Sequence, residues 1–342
     1  MITLKQIKDL IEKSQNPLIF FDDDQDGLVS YLLIKKHFGK GKGVAVKGKP
    51  MLDTTYLLSV KKYSPDLILV LDKPIVEQEF VDKTNVPIVW IDHHPVVNVK
   101  GVKYYNPRIK DDKDNRCVSY WCYQLTKDNM WVAAIGITAD YQKPSFIKTF
   151  IKKYPELLKE FKEQKETMFN SNLGKLIRIF GYSLKGKTED VNRNIEVLTK
   201  TNDPLDILNG KSEATKNLLV RLKPVEKEYD KILKKAVEEN KDKDIVVFIY
   251  PSGKYSFSAE LSNELMYKCP NKFVIVAREK DGEMRISLRN PDKKGYDLPK
   301  IIEKALIGLE GYGGGHTYAA GASVKKSDFE RFLSVIKEEL SK

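Results

Sequence analysis

The sequence predicts an α/β protein in which a mainly parallel sheet with helices on both faces is followed by a helical connector and a smaller α/β domain. Short apolar runs alternate with helical patterns from residue 1 to about 140, as in parallel sheets with crossover helices. Residues 145–240 are rich in Lys, Glu, Leu and Asn and lack strand-like runs. A new apolar run then opens a second α/β unit. We expect a first domain over 1–200, a connector over 201–240 and a second domain over 241–342.

The first domain is predicted from its apolar runs, taken in order. Residues 17–21 form a run of strand type, and the apolar residues of 27–38 recur with helical spacing. Two buried-strand patterns follow at 66–72 and 86–91, and an apolar run of small residues follows at 130–139. The three strand patterns and the last run each finish at an aspartate. Open α/β sheets place their ligand sites at such strand ends.

Acidic and imidazole side chains are concentrated at these ends. Four aspartates lie between Asp22 and Asp26, and like charges that close together repel one another unless a cation compensates them. The chain has four histidines, and two of them, His93 and His94, stand side by side after a strand pattern. Carboxylate oxygens with one or two imidazoles and no thiolate suit magnesium or manganese better than a structural zinc ion.

The later elements follow the same reasoning. A helical stripe of apolar residues predicts one long helix over 218–239. The second α/β unit begins with a strand at 242–250. It continues with a helix near 259–267, strands at 272–277 and 283–288, and a final helix near 328–340.

In this order, the motifs resemble those of the DHH phosphoesterase superfamily. The matching residues are Asp22-x-Asp24-x-Asp26-Gly27, Asp72, Asp92-His93-His94 and Asp140. The run Gly313-Gly314-Gly315-His316 resembles the signature of the DHH-associated domain that follows in one subfamily. Many members carry a histidine where this chain has Phe20. The triple-aspartate form resembles the RecJ exonuclease branch, especially its compact archaeal versions. It makes the inorganic pyrophosphatase and oligoribonuclease branches less expected without excluding the latter.

The resemblance implies a DHH-type fold and a role for each matching residue. Two divalent metal ions, preferably manganese and otherwise magnesium, would be held by Asp22, Asp24, Asp26, Asp72, His93 and Asp140. Asp72 would bridge the two ions. Asp92 would orient a neighbouring imidazole, and His94 would contact the scissile phosphate.

The second domain carries a polar face of its own. Arg285, Ser287 and Arg289 alternate along a predicted strand, so their side chains share one face. Arginine binds phosphate through a rigid two-pronged fork. Consecutive glycines let backbone N–H groups approach an anion closely, and His316 adds a donor. We therefore expect substrate phosphates to bind Arg285, Ser287, Arg289 and a loop made of Gly313, Gly314, Gly315 and His316.

Composition agrees with a polyanionic substrate. The formal net charge is +11, from 59 basic and 48 acidic residues, and basic proteins attract polyanions through their field. Abundant Lys and Glu are equally typical of heat-adapted proteins. The three cysteines show no metal-binding spacing and are expected to be free thiols. With no apolar run long enough to cross a membrane and no visible signal peptide, we expect a cytoplasmic protein without a membrane partner.

Three functions compete at this point. The first is a RecJ-like exonuclease that digests single-stranded DNA or RNA stepwise from an end. The second is a phosphodiesterase for oligoribonucleotides of a few residues or for cyclic dinucleotides, and the expected lack of an oligonucleotide-binding barrel after the second domain keeps it open. The third is an inactive replication-associated scaffold, which the intact acids disfavour. A replication or repair protein such as GINS is a further partner that the resemblance implies.

Overall fold

The computed structural model describes residues 1–48, 50–291 and 295–341, which divide into two compact units, Met1–Leu222 and Lys223–Lys342. The division falls inside one long helix, α12, which runs from Glu213 to Glu239 and contains Pro224. Proline has no backbone N–H, so this helix lacks one of its internal hydrogen bonds close to the division. The helix begins earlier than the stripe of apolar residues predicts.

The first unit is built on a parallel sheet of five strands in the order β2-β1-β4-β6-β7. These strands are β1 (Pro17–Asp22), β2 (Lys42–Val46), β4 (Leu67–Leu71), β6 (Ile88–Ile91) and β7 (Val102–Tyr105). A separate parallel pair joins β3 (Met51–Leu52) to β5 (Ile75–Val76). Strand order reverses between β1 and β4, which is where doubly wound sheets bind their ligands.

Helices cover both faces of this sheet, as the sequence predicts. Along β1, Phe20 meets Phe80 edge to face at 5.9 Å, while the next residue, Phe21, stacks on Tyr31 at 5.0 Å. Phe80 and Tyr31 lie on different helices, at 78–83 and 25–38, so alternate residues of the strand bury their side chains under opposite layers. The central strands read as continuous apolar runs because both of their faces are buried.

The helices of the first unit have the following bounds. They are α1 (Leu4–Lys13), α2 (Gln25–Phe38), α3 (Leu57–Tyr63), α4 (Gln78–Lys83), α5 (Val118–Thr126), α6 (Met130–Ala139), α7 (Ile147–Lys153), α8 (Gln164–Asn170), α9 (Asn172–Ser183), α10 (Thr188–Lys200) and α11 (Pro204–Asn209). The apolar run 130–139 is therefore the helix α6. It is buried along almost its whole length, which explains its lack of a polar face.

The second unit is a mixed sheet of five strands in the order β11-β12-β10-β9-β8. Its strands are β8 (Ile245–Tyr250), β9 (Phe273–Lys280), β10 (Glu283–Arg289), β11 (Gly311–His316) and β12 (Ala319–Lys325), and its helices are α13 (Ser258–Lys268), α14 (Leu298–Leu306) and α15 (Phe329–Leu340). β8 and β9 run parallel, and the other neighbours pair antiparallel. One face packs with α14 and α15 in a single apolar core, and α13 lies against β9 and β10 on the opposite face.

Two features of the second unit differ from the sequence prediction. The glycine run, expected to be a loop, is the edge strand β11, paired with β12 through Gly311↔Val324 to His316↔Ala319. Glycine is depleted in strands, so the partner strand rather than local preference sets this conformation. The helix α14 and the strand β12 also lie outside the elements predicted for this unit. No helix among the described residues is both long and apolar enough to span a lipid bilayer.

Candidate metal centre

The ends of three neighbouring strands bring the predicted acids together. β1 ends at Asp22, β4 is followed by Asp72, and β6 is followed by Asp92. These strands are adjacent and parallel, so their carboxyl ends meet at one edge of the sheet.

Three groups of side chains in this region have the spacing that a metal ion requires, with ligand atoms within 4.8 Å of one another. They are Asp22, Asp24 and Asp72; Asp72, His93 and His94; and Asp26, Cys117 and Asp140. Asp72 belongs to two of the groups, which is the placement that a ligand shared between two ions needs. All six residues assigned to metal by the sequence therefore lie in these groups. Their role as ligands stays a prediction.

Asp72 is held in an unusual position. Its φ is +61°, a left-handed conformation that Asp and Asn tolerate better than most residues. The side chain is buried, and its Oδ1 accepts no hydrogen bond from any described residue. Burial, followed by the charges of Asp26 and Asp24, raises the pKa of Asp72 well above its usual value. An unsatisfied buried carboxylate oxygen among acids fits a divalent cation.

His93 presents a lone pair toward Asp72. Its Nδ1 lies 3.0 Å from the carbonyl oxygen of Asn115, and because a carbonyl only accepts, Nδ1 must carry the hydrogen. The neutral ring then has its lone pair on Nε2, which lies 3.4 Å from Asp72 Oδ1. This tautomer is the one that a metal ligand needs. Burial lowers the pKa of His93, but the charges of Asp140 and Asp26 outweigh it, so the net shift is upward.

Asp26 and Asp140 belong to the same group but are held differently. The two carboxylate oxygens of buried Asp26 accept the backbone N–H groups of Val118 at 2.8 Å and Ser119 at 2.7 Å, at the start of α5. This contact fixes the orientation of the carboxylate. Asp140 ends α6 and accepts a hydrogen bond from Gln142 Nε2 at 2.9 Å. Burial raises the pKa of Asp140 to about 7, although His93 opposes the shift.

Cys117 is the thiol of this group. No pattern in the sequence places a cysteine near the acids, because its spacing to the other cysteines is irregular. Burial, together with the charges of Asp26 and Asp140, raises the pKa of Cys117 well above its usual value. In the metal-free chain this thiol therefore keeps its proton, and the predicted ligands of this group are the carboxylates of Asp26 and Asp140.

Asp92 contacts His94, and the orienting role that the resemblance implies for Asp92 stays a prediction. Asp92 is fully buried, and its Oδ1 lies 2.7 Å from His94 Nδ1. Its Oδ2 accepts from the backbone N–H of His94, from the Tyr104 hydroxyl and from the Asn106 amide at 3.2–3.3 Å. Asp92 therefore fixes the ring through Nδ1. Tyr104 and Asn106 complete this support, and no motif in the sequence marks them.

Asp24 and Asp22 form the edge of the centre at β1. Asp24 is the N-cap of α2, and its Oδ1 accepts the backbone N–H of Gly27 at 2.9 Å. Gly27 is required because a Cβ there would lie 2.5 Å from the backbone oxygen of Asp22. Asp22 Oδ1 accepts a hydrogen bond from Lys73 Nζ at 2.7 Å, and Lys73 has no exposed surface. Lys73 lies next to Asp72, yet no motif in the sequence marks it.

Four of the predicted phosphate-binding residues of the second unit share one face of the sheet: Ser287, Arg289, Gly314 and His316. Register pairs Arg289 and His316 with the same residue, Ala319, and pairs Ser287 and Gly314 with Gly321. Directly paired residues of antiparallel strands lie on one face. This face therefore carries Arg289 from β10 and His316 from β11. Gly314 of β11 and Gly321 of β12 lie on the same face.

Within this face the arginines have different partners. Arg289 donates from Nε to Asn263 Oδ1 at 2.6 Å and from a terminal nitrogen to Ser287 Oγ at 3.0 Å. Arg285 lies four residues away and forms an ion pair with Glu283 at 2.7 Å. The structure thus brings Arg289 and Ser287 together and directs Arg285 elsewhere.

The three predicted glycines also differ from one another. A Cβ at Gly314 would meet no atom within 4 Å, whereas one at Gly313 would lie 2.6 Å from Ile302 on the core side. Gly315 has φ +140°, a region that only glycine adopts readily, close to the hairpin turn that joins β11 to β12. Gly314 is therefore the glycine that leaves backbone open on the polar face.

Comparisons with a protein-family model and with solved structures show what this chain is similar to. Residues 245–342 match the DHHA1 domain family. A search of curated proteins finds no match. RecJ from Thermus thermophilus, solved in complex with Mn²⁺, is 15% identical with a TM-score of 0.65 over 99% of this chain. The chain spans only 54% of that RecJ.

Two other solved structures are similar over nearly their whole lengths. A DHH domain from a protein described as belonging to a family of ribosomal proteins is 16% identical with a TM-score of 0.70, covering 98% of this chain and 89% of that one. An exonuclease RecJ bound to manganese is 13% identical with a TM-score of 0.60, covering 100% and 95%. The chain therefore has the DHH fold along its length, and its residues 245–342 are a DHHA1 domain.

Proposed function

We propose that the chain is a metal-dependent phosphodiesterase that removes nucleotides stepwise from an end of single-stranded nucleic acid. The observation that carries this proposal is the position of Asp72, which belongs to two candidate metal groups and has a buried oxygen without a hydrogen bond from the described residues. Two adjoining cation sites suit phosphodiester hydrolysis better than any other chemistry these residues support.

When bound, two divalent ions, with manganese preferred, would act as Lewis acids on the phosphate and activate water for attack on phosphorus. The protein's own residues would position the ions and the phosphate. Asp22, Asp24, Asp26, Asp72, His93 and Asp140 would hold the ions. Asp92 accepts the Nδ1–H of His94 and leaves Nε2 to face the substrate. As an imidazolium ion, a form that an anionic phosphate stabilises, the ring would donate a hydrogen bond from Nε2 to a phosphate oxygen.

The DHHA1 domain would supply contacts to the strand. Arg289 and His316 lie on one face of its sheet, and the open backbone of Gly314 lies on the same face. Arginine and backbone N–H groups are suitable phosphate donors. The formal net charge of +11 supports attraction of a polyanion. The solved relatives called RecJ support an exonuclease among the possible phosphodiesterases.

The test uses purified protein, manganese and end-labelled strands of DNA and RNA, both long and a few nucleotides in length. We expect linear single strands to be shortened one nucleotide at a time and a closed circular strand of the same sequence to stay intact. Rapid cleavage of the circle would contradict digestion from an end. Fast hydrolysis of dinucleotides with no action on long strands would instead assign the protein to the small-nucleotide phosphodiesterases.

A further inference from the structure

Lys73 is a buried cation inside the acidic centre. It has no exposed surface, and its ammonium nitrogen lies 2.7 Å from Asp22 Oδ1. We infer that Lys73 competes with a divalent ion for Asp22, so that the centre binds its two ions in a fixed order and with unequal affinity. The inference rests on the proposed metal-dependent function and deepens it. Lys73 would be a positioning residue that acts through Asp22.

The backbone explains how a lysine comes to face these acids. Successive side chains of a strand point to opposite faces, but the φ of +61° at Asp72 breaks this alternation just after β4. Asp72 and Lys73 can therefore both reach Asp22. The main chain is held there by Trp90, whose indole Nε1 donates to the Lys73 carbonyl at 2.9 Å in a buried contact. The buried Trp90 contact thus holds the backbone of Lys73 where its ammonium reaches Asp22.

The two ends of the centre are unequal in charge. An ion at Asp22, Asp24 and Asp72 would share Asp22 with an ammonium group, and two cations on one carboxylate repel each other. At the other end, the hydrogen-bond donors to Asp26 are the backbone amides of Val118 and Ser119, which are neutral. The first ion is therefore expected at Asp26, Asp140, Asp72 and His93, and the second at the Asp22 end.

The direction of the effect follows from which interaction dominates. Lys73 also helps to orient Asp22, and loss of orientation alone would weaken the second ion. We expect repulsion between an ammonium and a divalent ion on a shared carboxylate to outweigh the gain from orientation, because the Lys73 side chain is shielded from water although that of Asp22 is 28% exposed. Removal of the charge should therefore strengthen binding of the second ion.

The experiment is a manganese titration, followed by electron paramagnetic resonance and calorimetry, of the wild-type protein and Lys73→Met. Methionine is similar in length and uncharged, so it suits the buried position. In the wild type we expect one tight ion and a second that is weaker by at least about tenfold. In Lys73→Met the second affinity should rise by more than about tenfold, while the first changes less.

Lys36→Met is the matched control. Lys36 is a partly buried lysine on α2 whose ammonium binds the carbonyl oxygens of Thr199 and Thr201, not the acids. Its loss should leave both manganese affinities unchanged. Equal affinities for two ions in the wild type, or an unchanged or weaker second ion in Lys73→Met, would overturn the inference and leave the proposed function intact. A wild-type protein that binds no manganese would overturn both.

A second measurement covers the case in which Lys73→Met does not fold. In wild-type protein labelled with ¹⁵N-lysine, the ammonium resonance of Lys73 should move during the second step of a magnesium titration and stay in place during the first. A resonance that moves with the first ion, or with neither, contradicts the competition.

Discussion

At the residue scale, Asp72 combines two properties that rarely occur together. Its backbone is left-handed, and its carboxylate is buried among other acids. A substitution at this position must therefore be chosen for its backbone as well as for its charge. Asn tolerates φ near +60° better than Ala, so Asn isolates the effect of the lost charge.

We expect Asp72→Asn to reduce hydrolysis in manganese by at least about a thousandfold, because one carboxylate is lost from both candidate groups. The metal-free variant should melt at the same or a higher temperature than the wild type, since a repelled buried charge is removed. Rates from labelled strands and melting curves by circular dichroism check both points. Asp9→Asn, at an exposed site on α1, is the control. Near-normal turnover of the pure variant would refute the shared-ligand role.

The sequence indicates the acids and histidines of this centre because their residue types, and their positions after apolar runs, can be read without the structure. It does not identify Lys73, Asn106 or Gln142. Lys73 bonds to Asp22, Asn106 to Asp92 and Gln142 to the backbone of Cys117, and the partners in each pair are separated along the chain. A lysine after a buried strand is normally a solvated loop residue, and only the tertiary structure shows it to be buried.

At the element scale, the glycine strand β11 can be tested residue by residue. Gly314→Ala should leave the fold unchanged, because the new Cβ meets no atom within 4 Å, yet it should weaken single-strand binding severalfold by obstructing the open backbone. Gly315→Ala should instead destabilise the second unit, because its φ is +140° and the Cβ would lie 2.6 Å from Ala319 oxygen.

The measurements for these variants are single-strand affinity in calcium, to prevent turnover, together with thermal melting. Manganese affinity should stay unchanged in Gly314→Ala, since the metal groups lie in the other unit. A Gly314→Ala protein that binds strands as tightly as the wild type would argue against phosphate binding by this face.

Element prediction succeeded where side-chain chemistry and local pattern agree. The strands β1, β4 and β6 are apolar runs of the length expected for buried parallel strands, and the sequence predicts all three. It does not predict β11 or β12, which are rich in Gly, Ala and Ser and have little intrinsic preference for a strand. Pairing of β11 with β12, and of β12 with β10, stabilises the strand conformation that the local sequence alone does not favour.

At the scale of the whole molecule, the crowded acids link metal binding to pH. The pKa of Asp140 is raised to about 7 and that of Asp72 is raised well above its usual value. At these two carboxyl groups the metal-free folded chain holds more protons than the unfolded chain above about pH 4, so their contribution to stability falls as pH rises toward 7. Cations remove the repulsion and release the protons.

We therefore expect manganese to raise the melting temperature more at about pH 8 than at about pH 5.5, with net proton release on binding near pH ~6. Calorimetry in two buffers of different ionisation enthalpy counts the protons. Manganese binding to Asp72→Asn should release fewer protons than binding to the wild type. Metal binding without proton release under these mildly acidic conditions would contradict the raised pKa values.

The buried cysteines allow the opening of the molecule to be followed in time. Cys117 and Cys122 lie in one compact unit and Cys269 in the other, and all three are buried free thiols. Burial raises the pKa of each, so an alkylating reagent should react only when its unit opens. Alkylation can be followed over time by mass spectrometry. Opening of the first unit adds two groups, at Cys117 and Cys122, and opening of the second unit adds one, at Cys269. Manganese should slow the double addition and leave the single addition unchanged, whereas equal slowing of all three would show that the chain opens as one cooperative body.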